Sequence, residues 1–284
     1  MSGAATTLQR IRGHLVGLKM SRALEALDHC VRRVEEGELS ALELLDELLG
    51  EEQATRETRR IKSSLMTARL TRIKTLEDFD FSFQPSLDRN RILALAELNF
   101  IERGEVVHLL GPPGTGKSHL AIALGVEAVR AGKSVYFATL AEIIDSLAKA
   151  EREGMLAQRI GYITRPALLI IDEVGYLPVQ KGGANLFFQL INARYERGAV
   201  ILTSNRGFSE WGEVFGDTVV AAALLDRLLH HAIVIEIAGN SYRLREHAKL
   251  VPENLRLPPI TAPLSPKRRR GRPAKRAGNA DDDR

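Results

Sequence analysis

The sequence predicts an α/β chain built on a parallel five-stranded sheet covered by helices. Three observations carry that prediction. From Arg91 onward, short apolar runs alternate with stretches of helical periodicity, the pattern of strands buried on both faces. One run empties into Gly111-Pro112-Pro113-Gly114-Thr115-Gly116-Lys117-Ser118, and a helical stretch beginning at His119 follows at once. Another, Ala167-Leu168-Leu169-Ile170-Ile171, ends in the acid pair Asp172-Glu173. In a doubly wound sheet both features fall at the carboxyl ends of the strands, where ligands bind.

Taken in order, residues 6 to about 75 read as helices. Leu8, Ile11, Leu15 and Leu18 form one apolar stripe, and Ala23, Leu24, Leu27, Val31 and Val34 form the next. Ser40 is an N-cap with Glu43 three residues on, a capping box, and the helix it opens is expected to end at Gly50. Ile61, Leu65 and Ala68 then make the inner seam of a further helix with a mostly basic outer face. The segment Thr75 to Pro85 breaks the helical period and marks a junction. Its phenylalanines Phe79, Phe81 and Phe83 suit either the border of a base pocket or plain core at a seam. The strands follow at Glu105–Leu110, Ser134–Ala138, Ala167–Ile171, Ala199–Asn205 and Ala232–Ile237. These shifts divide the chain into a helical part, 1–75, an α/β part, 76–255, and a tail, 256–284.

Composition sets outer bounds. With 284 residues the chain can bury a substantial core, and no apolar run approaches the ~18 residues of a membrane span. Met1 to Arg12 lacks the apolar centre of an export signal. Cys30 is the single cysteine; with Leu27, Val31 and Val34 at helical spacing it reads as a buried thiol, in keeping with a reducing cytoplasm. The formal charge is only +4, but it is unevenly spread. The run Pro266–Arg276 holds seven basic residues and no acidic one. A second basic zone comprises Arg56, Arg59, Arg60, Lys62, Arg69, Arg72 and Lys74. Two such zones point to an anionic polymer as partner, although a solvated helix face would explain the second equally well.

The chemistry sits in three places. The stretch 111–118 fills the pattern G-x-x-x-x-G-K-[ST], whose glycines let backbone N–H groups approach a triphosphate. The helix that leaves it adds a positive dipole end. Lys117 would reach the β- and γ-phosphates, and the Ser118 hydroxyl would hold Mg²⁺. Asp172 would support the same ion, and Glu173 would orient and deprotonate the attacking water. Asn205, closing the next strand, could hold that water or a phosphate oxygen, or could simply make a local turn. His230 and His231 are read as no metal centre, because adjacent side chains diverge and no cysteine or third histidine is near in sequence. Trp211 reads as a packing anchor.

These parts resemble an AAA+ ATPase, and closely the IstB-type helpers of insertion-sequence transposition, relatives of the DnaC and DnaI helicase loaders. The resemblance covers roughly residues 8 to 250. It is carried by residues 111–121, 168–177 and 202–205, and most selectively by Trp211–Asp217, Leu225–His231 and Ser241-Tyr242-Arg243. It implies an ATPase using ATP and Mg²⁺, with Gly111 to His119 cradling the nucleotide. It also implies that Arg227 is an arginine finger reaching the nucleotide of a neighbouring copy, and that Arg243 contacts the γ-phosphate of its own. The partners it implies are duplex DNA, a separate transposase and further copies in a ring or spiral, with no membrane. A helicase loader gripping single-stranded DNA is the alternative client. Pro252, Pro258, Pro259, Pro263 and Pro266 argue against folding of the tail, and Arg269-Arg270-Gly271-Arg272-Pro273 resembles an AT-hook for narrow minor grooves, although a basic tail that binds any polyanion would explain it equally well.

Overall fold

The computed structural model describes residues 2–180 and 182–245. The tail and its AT-hook-like run lie outside the described residues. Three helices come first: α1 (Ser2–Gly17), α2 (Ser21–Glu35) and α3 (Ala41–Thr67). Ser40 caps α3 with the expected reciprocal box, its side chain accepting from the Glu43 N–H while Glu43 accepts from the Ser40 N–H. Gly50 does not end that helix. It is exposed with no neighbour in the space a side chain would fill, so it costs about 1 kcal/mol of propensity. Leu48 and Glu52 are buried on either side and carry the helix through.

Glu52 explains how α2 starts without a cap of its own. Its carboxylate, only 3% exposed, accepts the backbone N–H groups of Arg22 at 3.0 Å and Ala23 at 3.4 Å. Those are among the orphan donors of a helix N-terminus. Ala23, Leu27, Cys30 and Leu48 form a small core of their own, so Cys30 is the buried thiol expected. The α1 stripe is only half covered: Leu8 and Leu15 pack on that core, whereas Ile11 and Leu18 are exposed.

α3 then crosses into the main body. Leu65, Ala68 and Leu70 belong to the core beneath the sheet, and the Phe137 N–H donates to the Ala68 carbonyl at 3.0 Å. After the short helices α4 (Arg89–Ala96) and α5 (Asn99–Glu102) the chain alternates as predicted. β1 (Val106–Leu110) leads to α6 (Lys117–Arg130), and β2 (Val135–Thr139) to α7 (Leu140–Arg152) and α8 (Leu156–Thr164). β3 (Leu168–Val174) leads to α9 (Gly183–Arg194). β4 (Ala199–Ser204) leads to α10 (Trp211–Phe215) and α11 (Thr218–Leu229), and β5 (Ala232–Glu236) closes the sheet.

The strand order is β2-β3-β4-β1-β5, with every pair parallel. Side chains alternate between two cores at the period of two that a strand imposes. Val107, Leu109, Leu168, Ile170 and Ile201 face one core with α6, whereas Tyr136, Ala138, Leu169, Ile171 and Leu202 face the other with α7, α9 and α11. This is the parallel five-stranded α/β sheet covered on both faces that the sequence predicts. Trp211 is fully buried, against Phe208 and Phe215, the packing anchor its spacing suggested. No helix among the described residues is long and apolar enough to cross a membrane.

Candidate nucleotide site

The glycine loop leaves β1 at the carboxyl edge of the sheet and feeds α6, whose first residue is Lys117. Two of its glycines are demanded by their neighbours as well as by backbone angle. Gly116 has φ 98°, and a Cβ there would stand 2.5 Å from the Phe79 ring. Gly114 has φ 80°, and its Cβ would run into the Ser241 hydroxyl. Both angles favour glycine, and both contacts show the loop pressed between the junction segment and the C-terminal segment. The Tyr242 N–H donates to the Gly114 carbonyl at 2.9 Å, and Tyr242 meets Phe83 edge-on at 5.1 Å. The Gln84 amide donates to the Asn240 carbonyl at 3.1 Å, so the two segments also clasp each other.

A cavity of about 560 Å³ opens here. It is lined by Gly114, Thr115, Gly116, Lys117, Ser118 and His119 together with Asp172, Glu173 and Arg243. Gly111, Pro112 and Pro113 form the loop's approach. The Lys117 ammonium donates to the Gly111 and Pro112 carbonyls at 2.8 and 2.7 Å, and the buried Thr115 hydroxyl donates to the Pro112 carbonyl at 2.9 Å. Burial pulls the Lys117 ammonium down to about 8; Arg243 adds to that effect and Asp172 opposes it. An anion entering the cavity would raise it again, because opposite charge favours the charged form.

The acid pair is placed by a break in the sheet. β3 and β4 shift register between Ile171 and Val174, a bulge of the kind that re-aims a side chain. Asp172 is buried and Glu173 exposed, the latter with a φ of 62° that few residues adopt. Thr203 of β4 secures both. Its hydroxyl donates to Asp172 Oδ1 at 2.5 Å and accepts the Glu173 N–H at 3.0 Å. The Ser118 hydroxyl donates to the same Asp172 oxygen at 2.8 Å. Ser118 and Asp172 thus offer two hard oxygen donors side by side, the donor set that suits Mg²⁺ alongside phosphate and water oxygens.

Two predicted residues stand apart from this cavity. Asn205 does follow a strand that neighbours β3, but it lies against Gly175, its Oδ1 buried without a hydrogen-bond partner. Arg227, near the end of α11, lines a separate pocket with Arg103, Val106, Tyr195, Gly198 and Val200. Val106 and Val200 are at the starts of β1 and β4, so Arg227 occupies the amino edge of the sheet, opposite the loop. His230 and His231 lie there too. Their rings are 4.2 Å apart, and Glu196 is brought close across the α9–β4 turn. The expected divergence fails because α11 ends at Leu229, so both histidines lie in the turn beyond it rather than on a helix or strand.

Sequence reasoning missed several residues. Phe79, which the sequence leaves ambiguous, covers Gly116 and meets the His119 ring edge-on at 5.3 Å. His119 in turn bonds the Thr75 carbonyl at 2.8 Å, fastening the junction to the loop. Thr203 carried a motif signal as part of Leu-Thr-Ser-Asn, but no role. The second basic zone also divides. Arg56 pairs with Glu52, Arg60 with Glu57, and Arg69 bonds Tyr136 and Glu142. Arg72 and Lys74 line the nucleotide cavity, and Arg59 and Lys62 stay on the exposed face of α3.

Comparison with known proteins gives the family. The family described as IstB-like ATP binding protein matches residues 13–250. An insertion sequence IS21 ATP-binding protein of Pseudomonas aeruginosa is 49% identical over 82% of this chain and 88% of its own. Its counterpart from insertion sequence IS5376 of Geobacillus stearothermophilus is 46% identical over 73% of this chain and 83% of its own. Among solved structures, DnaI is 23% identical with a TM-score of 0.47, covering 59% of this chain and 89% of its own. A family match from 13 to 250 spans the whole sheet, the glycine loop, the acid pair, Arg227 and Arg243, and the chain belongs to the IstB-like ATP-binding proteins.

Proposed function

We infer that this chain is an ATP-dependent, DNA-binding regulator of transposition. It assembles on duplex DNA, recruits or activates a separate transposase, and hydrolyses ATP. The relatives named as insertion sequence ATP-binding proteins support the setting. The observation that carries the mechanism is the separation of Arg227 from the glycine loop. β1 alone spans roughly 17 Å at ~3.3 Å per residue, so an arginine at its amino edge cannot serve a nucleotide at its carboxyl edge. It can serve the nucleotide of another copy.

The contacts support a division of labour within one copy. Loop N–H groups and Lys117 hold the phosphates, Ser118 and Asp172 hold Mg²⁺, and Arg243 approaches from the C-terminal segment. Mg²⁺ there would neutralise charge on the transferred phosphoryl group. Glu173, exposed and fixed by Thr203 through its backbone, takes a proton from the attacking water. Asn205 orients that water from behind. Arg227 of the neighbouring copy stabilises the charge that develops as the bond breaks. Arg59, Lys62 and the basic run 266–276 supply the phosphate contacts to the duplex.

Lys117→Ala is the test. It should remove ATP binding and, with it, ATP-dependent assembly on duplex DNA, because the nucleotide joins the copies. Sedimentation showing the same ATP-dependent oligomers for this variant would contradict the reading.

A further inference from the structure

Arg227 is held in an unusual way for an exposed-edge arginine. Among the described residues no carboxylate oxygen pairs with it. Its guanidinium carbon instead lies over two ring faces, Phe188 at 4.8 Å and Tyr195 at 5.9 Å. Its Nε is buried without a hydrogen-bond partner, so the ring contacts hold it where a neutral bond does not. Both rings come from α9 and its C-terminal end, across from α11.

That aromatic seat is itself fixed from two sides. The Tyr195 hydroxyl bonds His230 Nδ1 at 2.7 Å, and their rings stack at 5.9 Å. One residue earlier, Arg194 is 3% exposed and donates to four backbone carbonyls: Thr164 and Pro166 at 2.6 Å, Ala167 at 2.7 Å and Ala199 at 2.8 Å. The turn after α9 is therefore pinned to the starts of β3 and β4.

We propose that Phe188 and Tyr195 are positioning residues that hold Arg227 ready for the phosphates of a neighbouring copy. This rests on the finger reading above. The chemistry explains the choice of rings over a carboxylate. A carboxylate would pair with the guanidinium and compete with the incoming phosphate, whereas a ring face attracts the cation while leaving its N–H donors free. A preset arginine loses little freedom when the copies dock, so more of its attraction is felt in the transition state.

The test is a mutant cycle on the full-length protein, reading DNA-assembled ATP turnover and binding of a fluorescent ATP analogue by dilute copies. Phe188→Leu and Tyr195→Leu should each lower kcat about 3- to 30-fold, the worth of a cation–π contact. KM and dilute-copy binding should stay unchanged. Phe188→Tyr keeps a ring face and should keep the rate, which guards against a folding defect in the leucine variant. In an Arg227→Ala background, Phe188→Leu should add nothing. A further loss in that background would mean that the rings merely support the fold, and would overturn the proposal. So would full activity of Phe188→Leu alongside a crippled Arg227→Ala. If Arg227→Ala itself turns over normally, the finger reading falls and takes this proposal with it.

Discussion

The two edges of the sheet handle positive charge in opposite ways. At the carboxyl edge Lys117 is buried and spends its protons on the carbonyls of its own loop, with Arg243 nearby. That edge is a closed kit: loop, hydroxyl, acid pair and arginine surround one cavity. At the amino edge Arg227 rests on two aromatic faces and meets no acid among the described residues. Glu196 lines the same pocket, yet it forms no ion pair with Arg227. On the function proposed above, the difference means that one copy is complete for binding a nucleotide and incomplete for cleaving it.

The sharpest way to break that contrast begins at Glu173. Glu173→Gln should cut turnover of the assembled protein by about 10²–10⁴-fold, the usual worth of a positioned base. ATP affinity should be unaffected, so assemblies held by ATP should outlast those of the native chain. Turnover equal to the native rate would leave the carboxyl edge a binding site only.

A smaller effect separates the arginines. Arg243→Ala should weaken ATP binding by dilute copies about 10-fold, the size of one charged hydrogen bond. Arg227→Ala should leave that affinity unchanged. Equal losses in a dilute fluorescence titration would mean that both arginines meet the same nucleotide, and the distinction between edges would vanish.

The smallest effect concerns the strand that joins the edges. His108, in the middle of β1, is fully buried, and its Nε2 bonds the Leu228 carbonyl at 3.0 Å, next to Arg227. With the carbonyl as acceptor, Nε2 carries the proton, and Nδ1 is left without a partner. Burial pulls the imidazole below the ordinary histidine range, the Leu228 bond opposing. A depressed value means that the unfolded chain takes up the proton first. The stability is therefore complete above about pH 6.5 and is lost as pH falls below it. His108→Leu should flatten that acid-side loss in denaturant midpoints measured across the range. An unchanged slope would remove His108 from the linkage.

How far the sequence could be read depends on how local the cause was. The strand Ala167–Ile171 is legible because five consecutive apolar residues call for burial on both faces. Its continuation through Asp172 to Val174 was not, because the bulge depends on how β4 aligns beside it. Glycine lowers helix propensity, which makes Gly50 an expected stop, but burial of Leu48 and the bonds of Glu52 to Arg22, Ala23 and Arg56 outweigh that cost. Phe79 was ambiguous for a similar reason. Whether a phenylalanine lines a pocket or fills a seam depends on which loop arrives above it, and here it is the loop at Gly116.

By itself the sequence determined the parallel sheet, the phosphate loop, the acid pair and the buried Cys30, since each follows from periodicity or spacing within a few residues. Only the tertiary structure decided which charges share a cavity. Arg243 lies 126 residues beyond Lys117 in the chain yet lines the same space, whereas Arg227, closer in sequence, is turned to the opposite edge. The physical reason is that every strand of a parallel sheet runs the same way. Whatever follows a strand gathers at one edge, and whatever precedes the next is carried to the other.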